Sequence, residues 1–267
     1  MKYKILCSDL DGTLLSTKSD VSAYTISQIK KLRGTTRIIL VSARMPRGMR
    51  YIQERLGIED QPIICYNGAL VLNGKEIVTS VYIEPALLRE IYFLCSVLQT
   101  DLGLYYNDEW YVPKTSQRVQ KEIKYTKSQP TFQETSTTLN NWVQRNVGAH
   151  KIMLMGTKES ADKLMPLLQE KFSNTLNLYR SNDTLIEIAP KSVSKLTAIA
   201  LLLDKHESLN DVIAFGDNYN DIEMLEAAGC GVAVANARDE VKVICDYITL
   251  ENTKDGVARF IEEHWLI

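Results

Sequence analysis

Cys7-Ser8-Asp9-Leu10-Asp11-Gly12-Thr13-Leu14 closes a short apolar run, Ile5-Leu6-Cys7, with two acids spaced i, i+2, then a glycine and a hydroxyl residue. A run this short, bounded by a glycine signal, reads as a buried strand. Acids at such a strand end lie where an open α/β sheet keeps its ligands, in the crevice at the carboxyl ends of the strands. Two carboxylates about 4 Å apart repel by roughly 4 kcal/mol at an effective dielectric near 20. A bound cation relieves that repulsion, and hard oxygen ligands suit Mg²⁺. Asp-Gly is also a common turn dipeptide, so a plain surface turn is the competing reading of this stretch alone.

Outward from it, the chain alternates strand and helix. Ser19-Asp20 can cap a helix with Ile26, Ile29 and Leu32 on one face, ended by Gly34. Arg37-Ile38-Ile39-Leu40-Val41 is a second buried strand that stops at Ser42-Ala43-Arg44. Pro46 opens a helix with Met49, Ile52 and Leu56 inward and Gly57 at its end. A third strand, Pro62 to Tyr66, runs into Asn67-Gly68, and with Asn73-Gly74 it carries a hairpin signature. From Ile83-Glu84-Pro85 to about Pro190 the pattern changes to helices separated by aromatic, alternating strands, including a hairpin that turns at Asn107-Asp108. The alternation then resumes. Lys195 to His206 reads as a helix with Leu196, Ile199, Ala200 and Leu203 buried. Val212-Ile213-Ala214-Phe215 is a strand that runs into Gly216-Asp217-Asn218-Tyr219-Asn220-Asp221. A helix with Ile222, Leu225 and Ala228 inward follows, and two last strands. The expected fold is a doubly wound, Rossmann-like parallel α/β core, residues 1–83 and 189–267, with an inserted α+β unit at 84–188.

Composition narrows the function. A length of 267 residues favours two domains over one core. Hydrophobic and charged fractions of 45% and 24% are those of a soluble globular protein, and a formal charge of −2 offers no basic field to nucleic acid. No run approaches a membrane-spanning length, and the start has no signal-peptide core. Five cysteines without a C-x-x-C pair point to a reducing cytoplasm. His150, His206 and His264 are too scattered for a histidine-rich metal site.

Three strand ends, Asp9-Leu10-Asp11, Ser42-Ala43-Arg44 and Gly216 to Asp221, fall on one rim of a parallel sheet however distant they are in sequence. Asp217 and Asp221 taken singly read as solvated loop acids; with a second acid pair on the same rim they read as metal ligands. Lys195 opens a helix, where the macrodipole disfavours a cation. Either it is an exposed lysine, or an anion such as phosphate lies against both it and the helix amides, with Ser42 and the Ala43 amide as further donors. Carboxylates for Mg²⁺ beside an anion pocket describe a phosphoryl-transfer site.

As a set, Asp9-Leu10-Asp11-Gly12-Thr13, Ser42 after a strand, Lys195 opening a helix and Gly216-Asp217-Asn218-Tyr219-Asn220-Asp221 resemble the four motifs of the haloacid dehalogenase superfamily. The long insert and Asn67-Gly68-Ala69 are similar to its Cof-type branch, whose cap is called C2B. Leu196 departs from the glycine usual there. The resemblance implies a Mg²⁺-dependent phosphatase acting on small phosphorylated metabolites such as sugar phosphates. It implies Asp9 as nucleophile, Asp11 as general acid and then base, and Asp9, Asp11, Asp217 and Asp221 around the metal. Leu10, Ser42, Ala43, Lys195, Asn220 and Arg44 would bind the phosphate. The cap would close over the substrate, with Tyr105, Tyr106, Trp110, Tyr111 and Arg180 as candidate leaving-group contacts. The expected partner is a small phosphorylated molecule, with no nucleic acid and no membrane, in a monomer or weak homo-oligomer.

Other classes fit less well. No cysteine has arginine six residues later, Gly68 to Gly74-Lys75 is one residue too long for a P-loop, and no G-x-S-x-G is present. A phosphomutase of the same fold, and a module that accepts phosphate without turnover, remain as alternatives.

Overall fold

The computed structural model describes residues 3–17 and 19–264. It divides into two compact units, residues 1–79 with 194–267, and residues 80–193.

The first unit begins β1 (Ile5–Asp9), α1 (Ala23–Leu32), β2 (Arg37–Val41), α2 (Pro46–Leu56), β3 (Ile63–Cys65), β4 (Leu70–Asn73) and β5 (Glu76–Ser80). The second unit follows as α3 (Pro85–Val97), β6 (Asp101–Tyr106), β7 (Glu109–Val112), α4 (Gln117–Thr126), β8 (Thr131–Phe132), α5 (Thr135–Arg145), β9 (Lys151–Met155), α6 (Lys158–Phe172), β10 (Leu176–Asn182) and β11 (Leu185–Pro190). The chain then returns to the first unit through α7 (Lys195–Ala200), β12 (Val212–Gly216), α8 (Ile222–Ala227), β13 (Cys230–Val234), α9 (Asp239–Val243), β14 (Tyr247–Thr249) and α10 (Gly256–His264).

In the first unit the strand order is β14-β13-β12-β1-β2-β3-β4-β5. The pairs from β14 to β3 are parallel, and β3 turns back on β4 in an antiparallel hairpin. This is the α/β parallel sheet that the alternation predicts. β1, β12 and β13 are buried at every residue, as strands covered on both faces must be. With β1 between β12 and β2, the carboxyl ends of three strands lie side by side: Asp9, Gly216 and Val41.

Several local expectations change. α1 is capped by Ser22, whose Oγ accepts from the Thr25 N–H at 2.9 Å; Asp20 instead accepts from the Val21 N–H and from the Tyr51 hydroxyl. α7 stops at Ala200, well short of His206, because its last turn tightens into i→i+3 bonds from Leu202 to Ile199 and from Leu203 to Ala200. Its buried residues are Lys195, Ala198 and Ile199, while Ala200 is exposed and Leu196 and Leu203 are half-buried. The lysine sets that rotation, since its side chain is drawn into the protein. In α8, Met224 and Leu225 carry the burial, and Ile222 and Ala228 are half-exposed.

In the second unit a sheet of order β10-β11-β9-β6-β7-β8 is antiparallel except between β7 and β8. Period-two alternation sorts its residues. Leu102, Leu104, Ile152, Leu154, Ile186 and Ile188 meet α3, α5 and α6 in one apolar cluster. Tyr106 and Tyr111 pack against this cluster beside Trp142, and Arg180 pairs with Asp162 at 2.6 Å, so these three have structural contacts of their own. Tyr105 and Trp110, on the opposite face, stack with centroids 5.4 Å apart.

His150 is fully buried beside that sheet. The Asn107 N–H donates to its Nδ1 at 3.1 Å, which leaves Nε2 protonated and donating to Ser80 Oγ at 2.9 Å. The Tyr106 ring stacks on the imidazole at 5.1 Å. Burial lowers the histidine pKa from 6.5 to about 4. The unfolded chain therefore binds the extra proton between these values, so this contribution is complete above pH 6.5 and is lost as pH falls toward 4. Urea unfolding of the second unit is expected to lose roughly 2 to 3 kcal/mol between pH 7.5 and 4.5 from this group. His150→Gln, which cannot be protonated, is expected to flatten that slope; an unchanged slope in the variant rules the assignment out.

Candidate active site

β1 delivers Asp9 to the rim and gives way to a tight turn over Leu10–Leu14, closed by the Leu15 N–H on the Leu10 carbonyl at 3.0 Å. Gly12 makes the turn possible, with φ +90°. A Cβ there would lie 2.5 Å from Asp217 Oδ2, so glycine is also what lets the two acidic loops approach. Thr13 Oγ1 donates to Asp217 Oδ1 at 3.0 Å, and Asn236 Nδ2 donates to the Gly12 carbonyl at 2.8 Å. Thr13 stands in the opening motif without an assigned role, and nothing in the sequence around Asn236 singles it out.

Lys195 lies at the centre. It is 1% exposed, and its Nζ donates at 2.6 Å to Asp9 Oδ1 and at 2.6 Å to Asp221 Oδ1. Asp221 Oδ2 accepts from the backbone N–H groups of Asp217 and Asn218, each at 3.0 Å. This answers why a cation opens α7: two carboxylates flank it. The helix amides contribute less than expected, since the Thr197 N–H is taken by Ser194 Oγ in a capping box.

Asp9, Asp217 and Asp221 each offer an oxygen within 4.8 Å of the others. Fully ionised, the three carboxylates would carry two negative charges more than the ammonium of Lys195 balances. Burial, joined by the neighbouring Asp221 and Asp217 charges, pushes the Asp9 carboxyl well above the usual range, although Lys195 opposes it. Burial and then Asp221 push Asp217 up to about 6, against the Thr13 hydrogen bond. For Lys195 burial acts downward, but Asp221 and Asp9 outweigh it and hold the ammonium charged. A divalent cation would cancel the excess. Octahedral oxygen ligands at about 2.1 Å from Mg²⁺ lie about 3 to 4.2 Å from one another. The all-oxygen donor set, gathered within 4.8 Å, suits a small hard cation.

Asp11 does not join these carboxylates. Its side chain is half-exposed and is gripped by Arg44, Nε to Oδ2 at 2.7 Å and Nη2 to Oδ1 at 2.6 Å. Arg44 itself is 4% exposed, so one planar fork fixes the most exposed carboxylate of the group. Ser42 is buried, and its Oγ accepts from the Arg44 N–H at 3.2 Å, which leaves the hydroxyl hydrogen to donate. Leu10 has a fully buried side chain, so only its main chain can meet a ligand; Ala43 is half-buried beside Ser42. Asn220 Nδ2 donates to Asn67 Oδ1 at 3.1 Å.

Such a carboxylate cluster, with a buried lysine at the carboxyl rim of a parallel sheet, is an arrangement suited to phosphoryl transfer. The sequence profile of the haloacid dehalogenase-like hydrolases matches residues 6–261. A protein of Haemophilus influenzae that carries the provisional name phosphatase is 34% identical over 98% of either chain. The 5-amino-6-(5-phospho-D-ribitylamino)uracil phosphatase of Bacillus subtilis is 27% identical over 99% of this chain and 98% of its own. The crystal structure of a haloacid dehalogenase-like hydrolase from Bacteroides thetaiotaomicron superposes with a TM-score of 0.89 at 28% identity, covering 98% of this chain and 99% of the other. The chain belongs to the haloacid dehalogenase-like hydrolase family, and it is an enzyme of the phosphatase class.

Proposed function

We propose that the chain is a Mg²⁺-dependent phosphatase that hydrolyses small phosphorylated metabolites by way of a phosphoryl group carried on Asp9. The observation that supports this reading best is the placing of Lys195 between Asp9 and Asp221, inside a cluster of three carboxylates.

In this reading Asp9, Asp217 and Asp221, with the main chain of Asp11, hold the cation, which supplies charge neutralisation at the phosphate when bound. Asp9 attacks phosphorus through its free oxygen, and Lys195 keeps the other oxygen oriented. Asp11 hands a proton to the leaving oxygen and later takes one from the attacking water, with Arg44 holding its carboxylate in one plane. Ser42 Oγ–H, the Ala43 and Leu10 main chain and Asn220 receive the equatorial oxygens. The Bacillus relative's substrate is a phosphate ester on a ribityl chain, which supports a small polyhydroxylated leaving group here. The five cysteines, none of them in a disulfide, support a reducing, cytoplasmic setting. No described helix is long and apolar enough to cross a membrane.

The test is release of inorganic phosphate from p-nitrophenyl phosphate and from a panel of sugar and sugar-alcohol phosphates. Release is expected with Mg²⁺ and is expected to stop on chelation, returning when Mg²⁺ is restored. Turnover that survives exhaustive chelation, or isomerisation without release, overturns the reading.

A further inference from the structure

Tyr66, Asn67 and Gly68, at the carboxyl end of β3, have φ values of 52°, 55° and 107°. Three left-handed residues in succession, one of them a bulky aromatic, form a costly backbone path that persists only where its surroundings over-determine it. Here they do. The Tyr66 ring is 1% exposed. The Tyr66 N–H donates to the Arg44 carbonyl at 3.2 Å and the Asn67 N–H to the Ser42 carbonyl at 2.9 Å. A Cβ on Gly68 would lie 2.4 Å from the carbonyl oxygen of Ser194, the residue that precedes Lys195. The Asn67 side chain accepts from Asn220. One stiff turn therefore touches the loop of Ser42 and Arg44, the start of the Lys195 helix and the loop of Asn220.

The contact with Asn220 has a chemical consequence. The terminal torsion of asparagine is broad, so a free amide can turn either its oxygen or its N–H groups toward a neighbour. An anion needs the N–H groups. With one N–H of Asn220 Nδ2 donated to Asn67 Oδ1, the amide plane is fixed, and the second N–H of the same nitrogen is left to donate. Glycine-like φ at Asn67 is tolerated by asparagine better than by most residues, which lets this position combine the turn with the acceptor.

We infer that the turn Tyr66-Asn67-Gly68 is a positioning device for the phosphate-binding loops, in which Asn67 acts through Asn220 by presenting its amide N–H to the substrate's phosphoryl oxygens. The inference rests on the phosphatase reading above.

A double-mutant cycle with Asn67→Gly and Asn220→Ala tests it, with kcat/KM and inhibition by inorganic phosphate as readouts and the urea midpoint as the stability control. Glycine keeps the left-handed path and removes only the acceptor. Each single variant is expected to lose about tenfold in kcat/KM and in phosphate affinity with an unchanged urea midpoint, the scale of one hydrogen bond. The double variant is expected to match Asn220→Ala alone, since both remove the same interaction. Losses that multiply, wild-type behaviour of Asn67→Gly, or a loss that follows a lowered urea midpoint each overturn the inference. Turnover in Asp9→Asn, measured alongside, would instead overturn the phosphatase mechanism and would leave the cycle to be judged separately.

Discussion

Replacing Asp9 by asparagine is expected to leave a folded protein whose phosphate release is at least about ten-thousand-fold below wild type, the scale of losing a nucleophile. The amide fills the same space at the end of β1 but cannot attack phosphorus. The stability change separates this from misfolding. Asp9 is a buried carboxylate held well above its ordinary pKa, in a pocket with too much negative charge. Removing that charge in the absence of metal should leave the urea midpoint at neutral pH equal to wild type or higher. Rapid acid quench of the wild-type enzyme should also trap phosphate covalently on the protein, and Asp9→Asn should trap none. Phosphate trapped on a different residue would move the nucleophile elsewhere.

Lys195→Met is expected to fail in a different way. The side chain is 1% exposed and donates to two carboxylates at 2.6 Å each. A methionine of similar volume would leave Asp9 and Asp221 buried without a counter-charge. Breaking a buried pair by removing one partner costs about 3–5 kcal/mol. Activity is expected to fall by about a thousand-fold or more, since the charge opposite the transferring group is also lost. The destabilisation should shrink as pH falls. With the lysine gone, the Asp9 carboxyl rises further above its unfolded pKa, so acid protonates it in the folded state first and reduces the penalty. A variant that is fully stable at pH 8 without metal would mean that the lysine neutralises nothing.

Lys195 also separates what was legible in the sequence from what was not. Its position at a helix start was visible, and so was the oddity of a cation there. Its two partners were not, because Asp9 lies 186 residues away. The helix it opens ends six residues earlier than apolar spacing suggested, for the last turn is decided by i→i+3 bonds that leave no periodic trace. Arg44 is similar: the resemblance placed it among the phosphate-binding residues, and the fold sets its Nε and Nη2 on Asp11. Thr13, Asn67 and Asn236 entered the site only through contacts spanning 153 to 224 residues.

The sequence by itself determined the alternation of strand and helix and the acids that end β1 and follow β12, because apolar period and strand-end chemistry are local properties. The tertiary structure decided which of those groups meet. Side-by-side placement of β12, β1 and β2 brings three carboxylates together, two of them on one ammonium, and sends the fourth, Asp11, to an arginine. Charges buried together must be compensated within a few ångströms, and that distance exists only in the folded chain.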